Sequence, residues 1–192
     1  APVVRAFIEH KMHKQALPVK LYYFANMFRY ERPQSGRYRE FWQLGVEHIG
    51  AAAAQADAEV ITLAYDFLSR ELGLSKIKLK IGSMGDSQCR PAYLKKLKAF
   101  LSSKVNELCF DCQERLKYNP LRVFDCKNEQ CQTALAPAPK IVANLCPDCE
   151  QHFQQVQTLL KEVNLNYIID PMLVRGFDYY TRTTFELKSP LL

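Results

Sequence analysis

The chain has 192 residues, enough for one domain with a good core or for one domain plus a smaller insertion. With 48% hydrophobic and 24% charged residues it reads as soluble and globular, with no apolar run near the length of a membrane span and no apolar centre of a signal peptide. The formal charge of +6 mildly favours anionic partners, nucleotide or nucleic acid, and the missing initiator Met with the S-P-L-L end suggests a fragment. Val3 to Lys14 reads as a helix with Val3, Val4, Phe7, Ile8 and Met12 on one face, and Pro18 ends it. Val19 to Phe24 is an aromatic-rich strand.

Met27 to Gly50 then reads as two antiparallel strands joined by a basic loop containing Pro33 and Gly36. In the second strand, period-two alternation points Arg39, Phe41, Gln43, Gly45 and Glu47 one way and Trp42, Leu44 and Val46 the other. The even face is expected to be core. The odd face sets a cation, a ring, an amide, a gap and a carboxylate in one row, and that set is poor core material. Each polar group buried there without a partner would cost roughly 1–3 kcal/mol. Met27, Arg29 and Glu31 form a similar row, and Arg29, Arg32, Arg37 and Arg39 surround one turn. Such a surface suits an anionic nucleotide together with a small polar molecule carrying a positive or donor group. The plainer alternative, a solvated face of alternating charges, does not account for the interleaved ring and glycine.

Downstream, Ala51 to Gln55 is a small-residue connector, and Asp57 is expected to cap a helix with a stripe of Val60, Leu63, Ala64, Phe67 and Leu68 that Gly73 ends. Ile77, Leu79 and Ile81 alternate as a strand. The composition changes near Ser87, and Pro91 opens a helix whose stripe is Tyr93, Leu94, Leu97 and Leu101. From there to about Leu165 the pattern is helical and rich in Cys, closing on a helix through Phe153, Val156, Leu159, Leu160 and Val163. Strand pattern resumes at Tyr167 to Ile169, Arg175 and Gly176 give a turn, and Tyr179 to Leu187 is expected as a final strand. The expected fold is α+β: a mainly antiparallel sheet with flanking helices, in two parts at 1–85 and 165–192, interrupted by a helical insertion at 86–164.

Six cysteines follow the pattern C-x2-C-x13-C-x4-C-x14-C-x2-C, from Cys109, Cys112, Cys126, Cys131, Cys146 and Cys149, while Cys89 stands alone. In a chain without a secretory signal such pairs point to metal or redox work rather than disulfides. Tetrahedral zinc needs four thiolates, each roughly 2.3 Å from the metal. Cys126, Cys131, Cys146 and Cys149 are the preferred set, Cys109 and Cys112 with Cys146 and Cys149 the second choice, and His152 is a possible replacement for one thiolate. A small insertion with little core of its own would gain from such a staple. The alternative is reduced cysteines packed as small hydrophobes, Cys126 after the apolar run Leu121 to Phe124 being an example.

Two stretches carry a resemblance. Phe28 to Glu47, F-R-Y-E-R-P-Q-S-G-R-Y-R-E-F-W-Q-L-G-V-E, resembles motif 2 of the class II aminoacyl-tRNA synthetases, in particular the bacterial histidyl-tRNA synthetase family. Leu173 to Glu186, L-V-R-G-F-D-Y-Y-T-R-T-T-F-E, is similar to that family's histidine-specific motif L-V-R-G-L-D-Y-Y, with Phe177 in place of the usual Leu. The resemblance implies activation of histidine by ATP with Mg2+, transfer to tRNA-His, a homodimer and a cytoplasmic enzyme. It implies that Arg29 and Arg175 face the α-phosphate from opposite sides, that Arg37 reaches the outer phosphates or the tRNA end, and that Phe41 stacks on adenine while Glu31 reads its edge. Gln43, Glu47, Arg175, Tyr179 and Tyr180 are implied in the histidine pocket, and the insertion in contact with the tRNA acceptor end. Motif 1, the motif 3 arginine and an anticodon-binding domain have no counterpart in these residues, so the segment alone is expected to be inactive. His10, His13 and His48 are expected to have no role. The competing reading is a synthetase-like regulatory subunit of ATP phosphoribosyltransferase that binds histidine without activating it. A third is a zinc-stapled nucleic-acid-binding module, which leaves the hairpin row unexplained.

Overall fold

The computed structural model describes residues 2–30, 36–175 and 179–190. It divides into two compact units, Ala1–Ala56 and Asp57–Leu192, each of which is described by itself. This division falls earlier in the chain than the composition change near Ser87.

In the first unit, the helix α1 (Pro2–Glu9) is shorter than its apolar pattern, because Lys11 at φ 53° turns the chain. Of its expected stripe only Phe7 is buried. The strands β1 (Val19–Phe28) and β2 (Glu40–Ile49) then pair antiparallel, from Val19 opposite Ile49 to Phe28 opposite Glu40. β1 runs past Phe24, where its first apolar run stops, because ladder hydrogen bonding continues as long as β2 does. The even face is not core, contrary to expectation. Trp42 is 65% exposed, and Leu44, Val46, Tyr22, Phe24 and Phe28 are exposed beside it. The physical reason is that a two-stranded ribbon is one layer, and among the described residues no second layer closes on that face. Phe24 and Trp42 cover part of it by stacking on each other, with centroids 5.0 Å apart. The odd face, predicted to be the unusual one, is the more protected: Leu21, Tyr23, Met27, Phe41, Gly45 and Glu47 are half-buried.

The helix α2 (Ala54–Asp66) begins at the end of the first unit and runs into the second; it starts three residues before Asp57, which lies in the first turn and is not its cap. Ala54, Ala56, Ala58 and Ile61 are buried, Ala54, Ala58 and Ile61 in one row, while Leu63 is half exposed. The i, i+4, i+7 row that wins is the one built from small residues, which lets the helix approach its neighbours closely. A π turn at Phe67–Glu71 and Gly73 at φ 62° end it. The strands β3 (Lys78–Ser83), β4 (Tyr167–Ile169) and β5 (Thr183–Lys188) form a sheet in the order β4-β3-β5. β3 pairs antiparallel with β5 and parallel with β4. A parallel neighbour needs a crossover, and the long segment between β3 and β4 is that crossover. β5 begins at Thr183, so Tyr179 and Tyr180 lie ahead of the final strand rather than in it.

The crossover holds α3 (Arg90–Ser103), α4 (Phe110–Tyr118), α5 (Glu129–Leu135) and α6 (Pro147–Glu162). Pro91 opens α3 as expected, and Tyr93, Leu97 and Leu101 are its buried row. This segment has a core, contrary to expectation: those three side chains pack with Leu121, Val123, Leu135 and Ile141, all nearly inaccessible. The cluster also includes Met84 and Val174, so the buried interior reaches both strand-bearing ends of the crossover.

Candidate functional site

On the hairpin, backbone pairing aligns the odd row. The Arg29 N–H donates to the Arg39 carbonyl at 2.8 Å, extending the ladder one step beyond β1. The Arg29 Nε donates to the Tyr38 carbonyl at 2.7 Å, and its guanidinium lies 4.4 Å from the centre of the Phe41 ring. Arg29 and Phe41, expected in one site, are thus in direct contact. Further along, Gln43 Nε2 donates to the Tyr23 hydroxyl at 2.9 Å. Tyr23 sits opposite Gly45 in the register, and a Cβ at Gly45 would overlap its ring. Gly45 therefore makes room for the Tyr23 ring, which orients Gln43. Glu47 is half-buried opposite Leu21, and Arg37 is exposed. Glu31 lies outside the described residues.

In the second unit, Arg175 lines a cavity of about 520 Å³ together with Lys80, Asp125, Asp170, Glu186 and Lys188. Its guanidinium donates to the carbonyls of Val174 and, closely, Phe185, which fixes it against β5. Lys80 pairs with Asp170 at 2.8 Å. Burial works to raise the Asp170 carboxyl, but the Lys80 hydrogen bond, the Met172 N–H and the Lys80 charge together hold it below the ordinary value. Lys80 is raised in turn by its hydrogen bond to Asp170. Lys80, Asp170 and Glu186 were not singled out in the sequence. The sequence signal was partial: Lys78 and Lys80 alternate with Leu79, which is buried, while the pairing of Lys80 with Glu186 across the sheet is set by the register of β3 and β5.

Tyr179 and Tyr180 stack on each other, with centroids 5.0 Å apart and planes 18° apart, and both are exposed. Arg90 holds this segment down by donating to the carbonyls of Met84, Gly85 and, closely, Tyr180. Two backbone bonds of 2.7 Å, Met84 N–H to Arg182 and Arg182 N–H to Gly85, secure the same place. Phe177 and Gly176 lie outside the described residues. His152 is buried, bonds Asp57 at 2.8 Å and faces Arg182 at 3.4 Å, so it ties α6 to α2 rather than joining any thiol group.

The cysteines group differently from either expected combination. Cys109, Cys112, Cys126 and Cys131 bring their sulfurs within 4.8 Å of one another, and Cys146 and Cys149 lie instead with Cys89 and Asp86. The reason is the fold of the crossover: α4 and α5 begin side by side, whereas α6 begins against the entry to α3. Cys109 is the residue before α4 and Cys112 is in its first turn. The Cys112 N–H bonding there is the main influence that lowers the Cys109 thiol below its ordinary value, while burial pushes Cys112 up. Cys109 Sγ and Cys126 Sγ are 3.8 Å apart. A tetrahedron of thiolates about 2.3 Å from a metal has edges of roughly 3.8 Å, whereas a disulfide needs about 2.0 Å. The Cys109 N–H points at Cys131 Sγ at 3.1 Å, the kind of outer hydrogen bond that supports a bound thiolate. The donor set fits a structural Zn2+.

The comparisons agree with one another. The family model described as Histidyl-tRNA synthetase matches residues 1–190. The histidine--tRNA ligase of Moorella thermoacetica is 53% identical over 187 residues, covering 97% of this chain and 44% of that protein. The histidine--tRNA ligase of Halothermothrix orenii is 51% identical over 188 residues, with 98% and 45% covered. Among solved structures, apo S. aureus histidyl-tRNA synthetase is similar with a TM-score of 0.73 at 39% identity, covering 96% of this chain and 43% of that one. The chain spans less than half the length of these relatives.

Proposed function

This chain belongs to the histidyl-tRNA synthetase family, and on that premise we propose that it is part of an enzyme that activates histidine with ATP and transfers it to tRNA-His. The observation that carries the reading is the Arg29–Phe41 contact: a guanidinium on a ring, in the motif 2 hairpin, with its Nε held by the Tyr38 carbonyl. In the first step the histidine carboxylate attacks the α-phosphorus of Mg2+-bound ATP, the bond from that phosphorus to the α,β-bridge oxygen breaks, and pyrophosphate leaves. The charge on the phosphoryl oxygens is met by fixed cations, and such electrostatic stabilisation is the main contribution a protein makes to this chemistry. Arg29 and Arg175 take that role. Phe41 offers adenine a ring face, Glu31 reads the adenine edge, and Arg37 reaches the outer phosphates or the tRNA end.

Recognition of histidine is assigned to Gln43 and Glu47 on the hairpin and to Tyr179 and Tyr180 ahead of β5. The Tyr23 hydroxyl takes the Gln43 amide N–H, which turns the amide oxygen to accept from the substrate ammonium. Glu47 accepts from an imidazole N–H, and a site built on such a bond rejects side chains that lack the donor. In the second step the histidyl group moves from the adenylate to the 3′ end of tRNA-His. Residues 1–85 and 165–192 serve the catalytic core and 86–164 the tRNA acceptor end. The whole enzyme acts as a cytoplasmic homodimer, and among the described residues no helix is long and apolar enough to cross a membrane. Cys109, Cys112, Cys126 and Cys131 hold a structural Zn2+, which when bound cross-links α4 to α5 and supplies no catalytic chemistry.

The test is ATP–pyrophosphate exchange on the full-length protein with each amino acid in turn, the 192-residue segment serving as control. Exchange with histidine alone, lost in Arg29→Ala, is the expected result. Histidine binding without exchange overturns the synthetase reading in favour of a regulatory histidine-binding subunit.

A further inference from the structure

We infer that Asp86, Cys89, Cys146 and Cys149 form a second metal site, so that the protein holds two structural ions of the Zn2+ class. The seven cysteines of the chain divide into a group of four and a group of three, and the second group is completed by one carboxylate. Its four donor atoms lie within 4.8 Å of one another. Cysteines packed as small hydrophobes have no reason to gather into two such groups with none left over.

The local geometry repeats that of the first site. Cys109 and Cys112 bracket the first turn of α4, and Cys146 and Cys149 bracket the first turn of α6 with Pro147 between them. Asp86 and Cys89 share the same i, i+3 spacing at the entry to α3. Asp86 Oδ1 accepts from the N–H groups of Gln88 at 2.9 Å and Cys89 at 3.3 Å, and the Asp86 N–H donates to Cys89 Sγ at 3.3 Å. A helix cap explains the carboxylate's two N–H bonds, but not the three sulfurs around it. Asp86 Oδ1 lies 3.5 Å from Cys89 Sγ and 3.9 Å from Cys146 Sγ. A tetrahedral ion about 2.3 Å from sulfur and about 2.1 Å from oxygen sets these two donors roughly 3.6 Å apart.

Space is also reserved for the group. Gly85 sits at φ 59°, and a Cβ there would meet Cys89 Sγ at 2.5 Å, so a larger residue would push that sulfur out of the cluster. Three thiolates and a carboxylate select Zn2+ or a similar borderline ion over Mg2+ or Ca2+, and a closed set of four protein donors marks a structural rather than a catalytic ion. The position gives the ion a purpose. It would cross-link the start of α3 to the start of α6, holding together the two ends of the Cys-rich part of the crossover.

The test is elemental analysis of the full-length protein purified without chelator. Two zinc ions per chain are expected, falling to one in Cys146→Ser, to one in Cys112→Ser and to none in the double variant. One ion or none in the unaltered protein overturns the inference, as does a count that Cys146→Ser leaves unchanged. If Cys146→Ser does not fold, the Co2+ form of the unaltered protein decides. Thiolate-to-cobalt charge transfer from all seven cysteines supports two sites, and intensity for four alone overturns the second. Asp86→Cys should raise that intensity further, and no rise would count against Asp86 as a ligand.

Discussion

Arg29 is oriented twice, by its Nε bond to the Tyr38 carbonyl at 2.7 Å and by the Phe41 ring at 4.4 Å. Both restraints use the planar guanidinium, whose Nε donates while its plane lies on the ring; a lysine ammonium can make either contact but not both from one fork. Arg29→Lys should therefore behave like a deletion of a transition-state contact, with exchange in the full-length protein falling by about 10²–10³-fold in kcat. Retention of near-normal kcat would show that charge alone suffices there. Tyr23 acts one step further out, through Gln43. Tyr23→Phe removes a single hydrogen bond of about 0.5–1.5 kcal/mol and should raise the KM for histidine by up to roughly tenfold with kcat unchanged. A fall in kcat with KM constant would place Tyr23 elsewhere in the mechanism.

At the scale of elements, the hairpin depends on one missing side chain. A Cβ at Gly45 would overlap the Tyr23 ring across the ladder. Gly45→Ala should destabilise the protein by about 1–3 kcal/mol, the usual range for overpacking, and Tyr23→Ala in the same chain should relieve part of that loss. Thermal denaturation of the single and double variants measures both. In the second unit the pair joining β3 to the turn after β4 makes stability depend on pH. Asp170 is lowered from 3.8, so its contribution is present above that value and is lost as pH falls through the lower folded value. Lys80 is raised from 10.5, so its contribution is present below that value and is lost as pH rises through the higher folded value. The pair's contribution is therefore constant around neutrality and fades at both extremes. Asp170→Asn should lower stability at neutral pH and flatten the acid limb of the unfolding curve, and an unchanged acid limb would show that the pair contributes nothing.

At the scale of the whole molecule, the crossover between β3 and β4 combines an apolar core with grouped thiols, so removing the proposed metal should loosen it without unfolding it. A strong chelator should speed proteolysis between Ser87 and Leu165 while leaving β1 and β2 resistant, with the cleavage pattern read by mass spectrometry. Equal rates with and without chelator would show that the core alone holds the segment. Much of this architecture is legible in the sequence. Alternation over Arg39 to Glu47 sorts the two faces of β2, Tyr93, Leu97 and Leu101 mark the buried row of α3, and the two motif stretches point to the family. Those features survive because they are local: a strand's period and a helix's period are set by neighbouring residues. The tertiary structure alone decided which cysteines meet, because partners far apart in the chain are chosen by how α3, α4, α5 and α6 begin, and no spacing rule encodes that. It also decided that Ala54, Ala58 and Ile61 rather than Leu63 face inward on α2, and that Trp42 and Leu44 stay exposed, because burial is a property of what packs against a face and not of the face itself.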